Sequence, residues 1–339
     1  MIPIDPNLTA PLTWEQLLPH PILYQLNVNG YAEKDPNSNL EGVMKLWPAL
    51  IFAAFFFIAR EVCKRYIFMY WARWMGVRGK KKQAKFGYQL WLGIAYSTSS
   101  IYGIWALSDQ PYFRFPIGHK ESLALWLPLP EPINDHVWFY YWWGTGFYFA
   151  EFFAIFIETR RSDFMEYVIH HLATVGLLIL SCWIRNMRIG VLILLLHDVT
   201  DIFLCAAKCF HYVNKEFFVN ICFVLFLTSF AFLRLWCYPS LIESVWFQTP
   251  VLRGFEFWFW ISAHLLFVLQ ILHIYWFVLI VKMVVRLVSG VTGDNRSDDD
   301  TDTEAGNEGG SPTKKKKKLQ KGANGDGNSS SRSPSKKRK

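Results

Sequence analysis

The strongest constraint on this chain is a recurrence of apolar runs, each near the roughly 20 helical residues that cross about 30 Å of hydrocarbon. They fall at residues 43–59, 86–107, 137–157, 167–184, 189–207, 217–239 and 255–281. The pattern predicts an all-α integral membrane protein with about seven transmembrane helices. The first run is short and relies on Lys45 or Arg60 snorkelling to the interface. The fourth and fifth are separated by only a few residues, so six or eight spans also fit. The chain is 52% hydrophobic and 18% aromatic, a ring content suited to a bilayer. The Trp and Tyr clusters at 138–148 and 258–260 read as interfacial belts.

Charge sets orientation. Residues 60–85 carry nine Lys or Arg against one Glu, and residues 290–339 carry twelve against eight acids, which places both on the cytosolic side. The basic stretch therefore reads as an orientation and anionic-lipid signal, with no nucleic-acid partner. With seven spans the N-terminus is lumenal, where the sequon at Asn7 is open to glycosylation. The first 40 residues lack the apolar stretch of a signal peptide, so targeting is expected to use a span. The six cysteines lack the spacing of a disulfide framework or zinc finger and read as small core residues. Four regions follow: a lumenal segment 1–41, a first span with a basic cytosolic loop 42–85, a compact block 86–282, and a disordered cytosolic tail 283–339. In the tail, Ser297 precedes an acidic run that suits an acidophilic kinase. Lys336 and Lys337 stand at the dilysine positions of a retrieval signal for the endoplasmic reticulum.

Ionisable residues inside spans are costly and default to functional candidates facing the bundle interior. They are Glu151 on the third span, His170 and His171 on the fourth, and His197, Asp198 and Asp201 on the fifth. Arg234 lies on the sixth, and His264 and His273 on the last. At about 1.5 Å per residue, the His pair and the two Asp reach nearly the same depth from opposite directions. Asp198 and Asp201 share a face at i, i+3, and His197 and Asp201 are i, i+4 neighbours. His273 falls at a similar depth. Competing structural readings are that Glu151 pairs with a neighbour, that Arg234 snorkels toward the lumen, and that His264 and His273 are packing residues. Imidazole steadied by carboxylate is equipment for acyl transfer. A pocket just below the cytosolic surface suits a thioester such as acyl-CoA, whose tail partitions into the bilayer.

Residues 160–212 resemble the Lag motif of the ceramide synthases, members of the TLC-domain family. The resemblance rests on Asp163 and Phe164, on HH-x-x-T (His170, His171, Thr174) and on R-x-G (Arg188, Gly190). It extends through HD-x-x-D (His197, Asp198, Asp201) and AK-x-x-x-Y (Ala207, Lys208, Tyr212). RLWCYP at 234–239, LQILHIYWFVLIVKM at 269–283 and DNRSDDD at 294–300, the last like that of animal members, are similar to that family as well. Two features depart from it: no homeobox-like insertion fills 60–85, and Cys205 stands where relatives often carry an acid.

The resemblance implies a TLC-type bundle of six helices around a central lipid cavity. It implies N-acylation of a sphingoid base by fatty acyl-CoA, giving dihydroceramide or ceramide in the endoplasmic reticulum membrane. No cofactor or metal is expected beyond acyl-CoA as co-substrate. On this reading His170, His171, Asp198 and Asp201 are catalytic, one His forming an acyl-imidazole and the other taking the proton of the amine. His197, Asp163, Glu151, Arg188 and His273 support substrate or site. The loop at 240–254 tunes acyl-chain length. Chain length, the choice of sphinganine or sphingosine, and assembly as a homo- or hetero-dimer stay open. A direct ternary mechanism, a zinc-dependent lipid amide hydrolase and a non-catalytic lipid sensor are the rival readings.

Overall fold

The computed structural model describes residues 38–113, 125, 133–157, 164–253 and 257–289. These form α1 (Ser38–Met44), α2 (Trp47–Val62), α3 (Met69–Trp74), α4 (Lys80–Leu107), α5 (Asp135–Ile155), α6 (Phe164–Trp183), α7 (Met187–Tyr212), α8 (Glu216–Ser229), α9 (Tyr238–Arg253) and α10 (Phe257–Val288). A π-helical segment Cys63–Phe68 joins α2 to α3, and another, Phe230–Cys237, joins α8 to α9. Among the described residues there is no β-strand. Helices satisfy every backbone group within one segment, which hydrocarbon requires.

Five helical stretches are long and apolar enough to cross a membrane: Leu40–Trp74, Phe164–Trp183, Met187–Tyr212, Glu216–Phe247 and Phe257–Arg286. The two other expected spans are present as helices of 28 residues (α4) and 21 residues (α5). Gln, Ser and Thr in α4, and Tyr and Trp in both, lower their hydropathy, so five rather than seven meet the apolar criterion. The basic stretch 60–85 is not a loop. Helix runs to Trp74, turns through Gly76 (φ 81°) and Gly79 (φ 89°), and resumes at Lys80. Residues 240–253, expected as a loop, belong to α9, and the helix of the last span continues past 282 to Val288.

The turns between spans have a common chemistry. Arg185 takes a left-handed conformation (φ 53°) and the amide of Asn186 donates to Ser181 O at 2.7 Å. Asn214 (φ 58°) repeats the pattern, with Lys215 N donating to Phe210 O at 3.0 Å. Such caps satisfy the last carbonyls of a helix and reverse the chain within a few residues. Helices α6, α7 and α8 are therefore sequential antiparallel neighbours. His171 lies 14 residues before Arg185 and Asp198 lies 13 after it, so both stand about 20 Å from that turn.

Helix α7 packs against α4 and α8, α2 against α5, and α6 against α10. Small residues set the approach, as is usual between membrane helices. A Cβ on Gly146 would lie 2.8 Å from Ala49 O and collide with Phe52, and one on Gly144 would collide with Leu194. In the span Met187–Tyr212, 56% of the most apolar window is buried, against 17–22% in the other four. α7 is the axis of the bundle, and the large exposed apolar side chains, among them Phe153, Leu172, Phe217 and Ile274, lie on surrounding helices.

The aromatic run 138–148 is not simply an interfacial belt. Tyr140 and Tyr141 are fully buried, and the Tyr141 hydroxyl donates to Leu178 O at 2.6 Å and meets Ser181 Oγ. Arg60 does not snorkel either. It is fully buried, with Nη1 on Glu61 Oε1 at 2.8 Å and Nε 3.5 Å from Glu151 Oε1.

Candidate active site

The His pair sits in the second turn of α6, with His170 towards α7 and α10 and His171 towards Tyr148 on α5. His171 is buried, and its Nδ1 is 3.1 Å from Tyr167 O. A carbonyl can only accept, so Nδ1 carries the hydrogen and, in the neutral ring, Nε2 holds the lone pair. The Tyr167 ring packs against it, with centroids 4.1 Å apart. His170 lies 5.4 Å from His171, 6.2 Å from His197 and 5.3 Å from Trp276, centroid to centroid. Its buried Nδ1 has no hydrogen-bond partner.

On α7, His197 Nδ1 donates to Ile193 O at 2.7 Å, and its Nε2 lies 2.9 Å from His273 Nε2. With its hydrogen on Nδ1, neutral His197 accepts at Nε2, so His273 is the Nε2–H tautomer. The remaining lone pair of His273, on Nδ1, is buried without a partner. Four imidazoles thus form a chain from α6 through α7 to α10.

The carboxylates are held by other groups. Asp198, almost wholly buried, accepts from Ser99 Oγ on α4 at 2.6 Å and from the Tyr148 hydroxyl on α5 at 2.9 Å. Asp201 pairs with Arg234 Nη2 at 2.8 Å, and the same nitrogen donates to His197 O at 3.1 Å. The expected i, i+4 pair of His197 with Asp201 is therefore replaced by His197–His273 and Asp201–Arg234. Arg234 does not snorkel away; it is buried in the π-helical segment and closes the site. A buried carboxylate needs charge-assisted or strong hydroxyl donors, and these lie on three separate helices. Tyr148 links the two sides of the site, since its ring centroid is also 6.4 Å from that of His171.

Glu151 belongs to an adjoining cluster. It accepts from Trp91 Nε1 at 3.2 Å and the Tyr88 hydroxyl at 3.1 Å, and pairs with Arg60. Tyr88 spends its hydrogen on Glu151, so the Tyr167 hydroxyl, 3.3 Å away, donates to Tyr88. A continuous path runs from Arg60 on α2 to the ring of His171. Arg188 is not in this layer. It precedes Asp198 by ten residues, about 15 Å of helix, and its guanidinium lies over the Tyr112 ring at 5.6 Å. His264 Nδ1 donates to Trp260 O at 2.6 Å, apart from the cluster. Asp163, Ser297, Asn7, Lys336 and Lys337 lie outside the described residues. Among the described residues no group of three or more His, Cys, Asp and Glu is placed to hold a metal ion.

An apolar cavity leaves the site between α6, α7, α9 and α10. Tyr148, Thr174 and His197 line its inner end, Leu177, Ile193, Leu266 and Leu269 its flanks, and Ile184 and Asn186 its far end. Thr174 turns its hydroxyl onto His170 O at 2.8 Å, leaving its methyl for the cavity wall. Gly190 permits the narrow crossing of α6 and α7, since a Cβ there would stand 3.0 Å from Ser181 Oγ. Lone-pair imidazoles beside an apolar channel provide bases or nucleophiles for a reactive group carried on a long chain.

Residues 85–282 match the TLC domain family. The chain is 31% identical over 279 residues to ASC1-like protein 1 of Oryza sativa subsp. japonica, covering 74% of this chain and 88% of that protein. It is 31% identical over 290 residues to ceramide synthase LOH2 of Arabidopsis thaliana (76% and 95%). It is 33% identical over 219 residues to ceramide synthase 5 of Homo sapiens (63% and 54%).

Proposed function

Because this chain belongs to the TLC domain family, in its ceramide synthase branch, we propose that it transfers a fatty acyl group from acyl-CoA to the amine of a sphingoid base. The product is dihydroceramide or ceramide. The observation that carries this reading is the apolar cavity whose inner end meets Thr174, Tyr148 and His197 beside the His pair. It gives an acyl tail an apolar channel that ends beside the imidazole cluster, where a thioester meets a nucleophile or base.

One histidine of the pair attacks the thioester carbonyl with its ring nitrogen. The carbon–sulfur bond breaks, and CoA leaves toward water as thiol, with the proton the ring gives up. The sphingoid amine, after losing its own ammonium proton to the second histidine, attacks the acyl-imidazole carbon. The amide forms and the ring is released, which divides one difficult transfer into two easier steps. Asp198, with its oxygens fixed by Ser99 and Tyr148, offers a negative group to the incoming ammonium. Asp201 and Arg234 hold α7 and the π-helical segment in register behind it. The enzyme works in the endoplasmic reticulum membrane with the site opening to the cytosol, as the basic 60–85 stretch orients it.

Microsomal transfer of acyl groups from acyl-CoA to sphinganine tests this. His171→Ala and Asp198→Ala each lower activity by at least about a hundredfold, in the range set by losing a catalytic base. Full activity in both overturns the site. Radiolabelled acyl-CoA alone labels the protein, and the label disappears in His170→Ala or His171→Ala. Wild-type protein that acyl-CoA alone never labels overturns the covalent step and leaves direct attack of the amine on the thioester.

A further inference from the structure

The lining of the apolar cavity follows helical stripes. On α7 it takes Asn186, Ile189, Ile193 and His197, on α6 Thr174, Leu178 and Ser181, and on α10 Ser262, Leu266 and Leu269. Each set advances by three or four residues, so each is one face of its helix. Three such stripes side by side make a channel parallel to the helix axes rather than a pocket at one level.

Its depth is counted from the imidazole layer. His170, His197 and His273 meet there, with the His170 and His197 centroids 6.2 Å apart and the Nε2 atoms of His197 and His273 at 2.9 Å. Ser181 lies eleven residues after His170, and Asn186 and Ser262 lie eleven before His197 and His273. The stripes on all three helices therefore end at the same level, about 16 Å from the histidines. Beyond that level the channel is shut. Ile184, in the turn after α6, lines its end and is 7% exposed. Trp258 stands one turn before Ser262, and its ring meets that of Trp183 with centroids 5.7 Å apart.

An extended hydrocarbon chain with carbon–carbon bonds of about 1.5 Å advances about 1.25 Å per carbon, so this depth takes about thirteen carbons. We propose that the channel measures the acyl chain and selects long chains of about sixteen carbons over very long ones. The thioester end lies in the imidazole layer and the methyl end against Ile184 and Ser262. A tetracosanoyl chain has to displace Ile184 and the Trp183–Trp258 contact, an overpacking that a close-packed interior resists. Ile184 and Ser262 are then specificity residues. The inference rests on the acyltransferase reading above and adds the length of the chain.

The test is a series of saturated acyl-CoA from decanoyl to hexacosanoyl, with sphinganine as acceptor in microsomes. Wild-type kcat/KM peaks at or near hexadecanoyl, and tetracosanoyl is transferred at least about tenfold less efficiently. Ser262→Leu, which fills the end of the channel, moves the peak to a shorter chain. Ile184→Ala, which opens that end, raises transfer of icosanoyl relative to hexadecanoyl. Both readouts are ratios within one preparation, so they hold whatever fraction of a variant folds. A wild-type peak at icosanoyl or above, a peak at dodecanoyl or below, or a flat profile overturns the inference and leaves the acyltransferase reading standing. A profile that neither substitution moves does the same, whereas transfer from no chain overturns both readings.

Discussion

Asp198 and Asp201 stand one turn apart on the same helix, yet they are held in different ways. Asp198 is held by two neutral hydroxyls, Ser99 and Tyr148, which orient its oxygens without setting a positive charge against them. Asp201 is neutralised outright by Arg234. Breaking such a buried pair at one end leaves an uncompensated charge, whereas removing both partners is far milder. Arg234→Met is expected to destabilise the protein by about 3–5 kcal/mol, and Arg234→Met combined with Asp201→Leu to recover most of that. Thermal unfolding in detergent measures both, and equal stabilities for the single and double variants would remove the pair from the account. Little of this was legible in the sequence. The depth of the histidines and carboxylates could be counted along two antiparallel spans, but Arg234 looked like a lone charge near the wrong end of its run. Its partner is 33 residues away, and the π-helical segment shifts its register.

The turns and crossings of the helices decide what can be substituted. The sequential hairpin of α6 and α7 follows from a left-handed residue and a closing amide at 185–186, which is why counting residues from that turn locates the site layer. The close crossing of α2 and α5 was not readable in this way. α5 is apolar nearly all round, so its sequence marks no preferred face, and its buried tyrosines were indistinguishable from an interfacial belt. Gly146→Ala places a methyl 2.8 Å from Ala49 O, a backbone atom that cannot rotate away, and is expected to destabilise by about 1–3 kcal/mol. At Gly176 the nearest atom to an added Cβ is Leu265 Cδ1 at 3.4 Å. Gly176→Ala is therefore neutral or slightly stabilising. Thermal unfolding of the two variants side by side checks the contrast.

For the molecule as a whole, the family match begins at residue 85, but the folded unit does not. Arg60, from α2, ends inside the bundle on Glu151 and lies over Tyr88 at 5.3 Å. Helix α2 is thus part of the structure that supports His171. The sequence shows Arg60 only as one of many basic residues after a short span, because nothing local distinguishes a buried guanidinium from a snorkelling one. Orientation is predicted from charge counts along the sequence, without any contact. Asn7 is expected to carry a glycan in microsomes, seen as a mobility shift on glycosidase treatment that Asn7→Gln abolishes. A shift that persists in that variant reverses the assignment of the N-terminus to the lumen.

The central position of α7 divides the lining of the apolar cavity into two walls with different freedom to vary. The α6–α7 wall carries His197 and Gly190 and is pinned from behind by α4, α5 and α8, so a change there disturbs the chemistry as well as the channel. The opposite wall, built by Val245 on α9 and Ser262, Leu266 and Leu269 on α10, has no catalytic duty over that stretch. Side chains on that wall can therefore be exchanged, and the cavity reshaped, while the wall that carries His197 stays as it is.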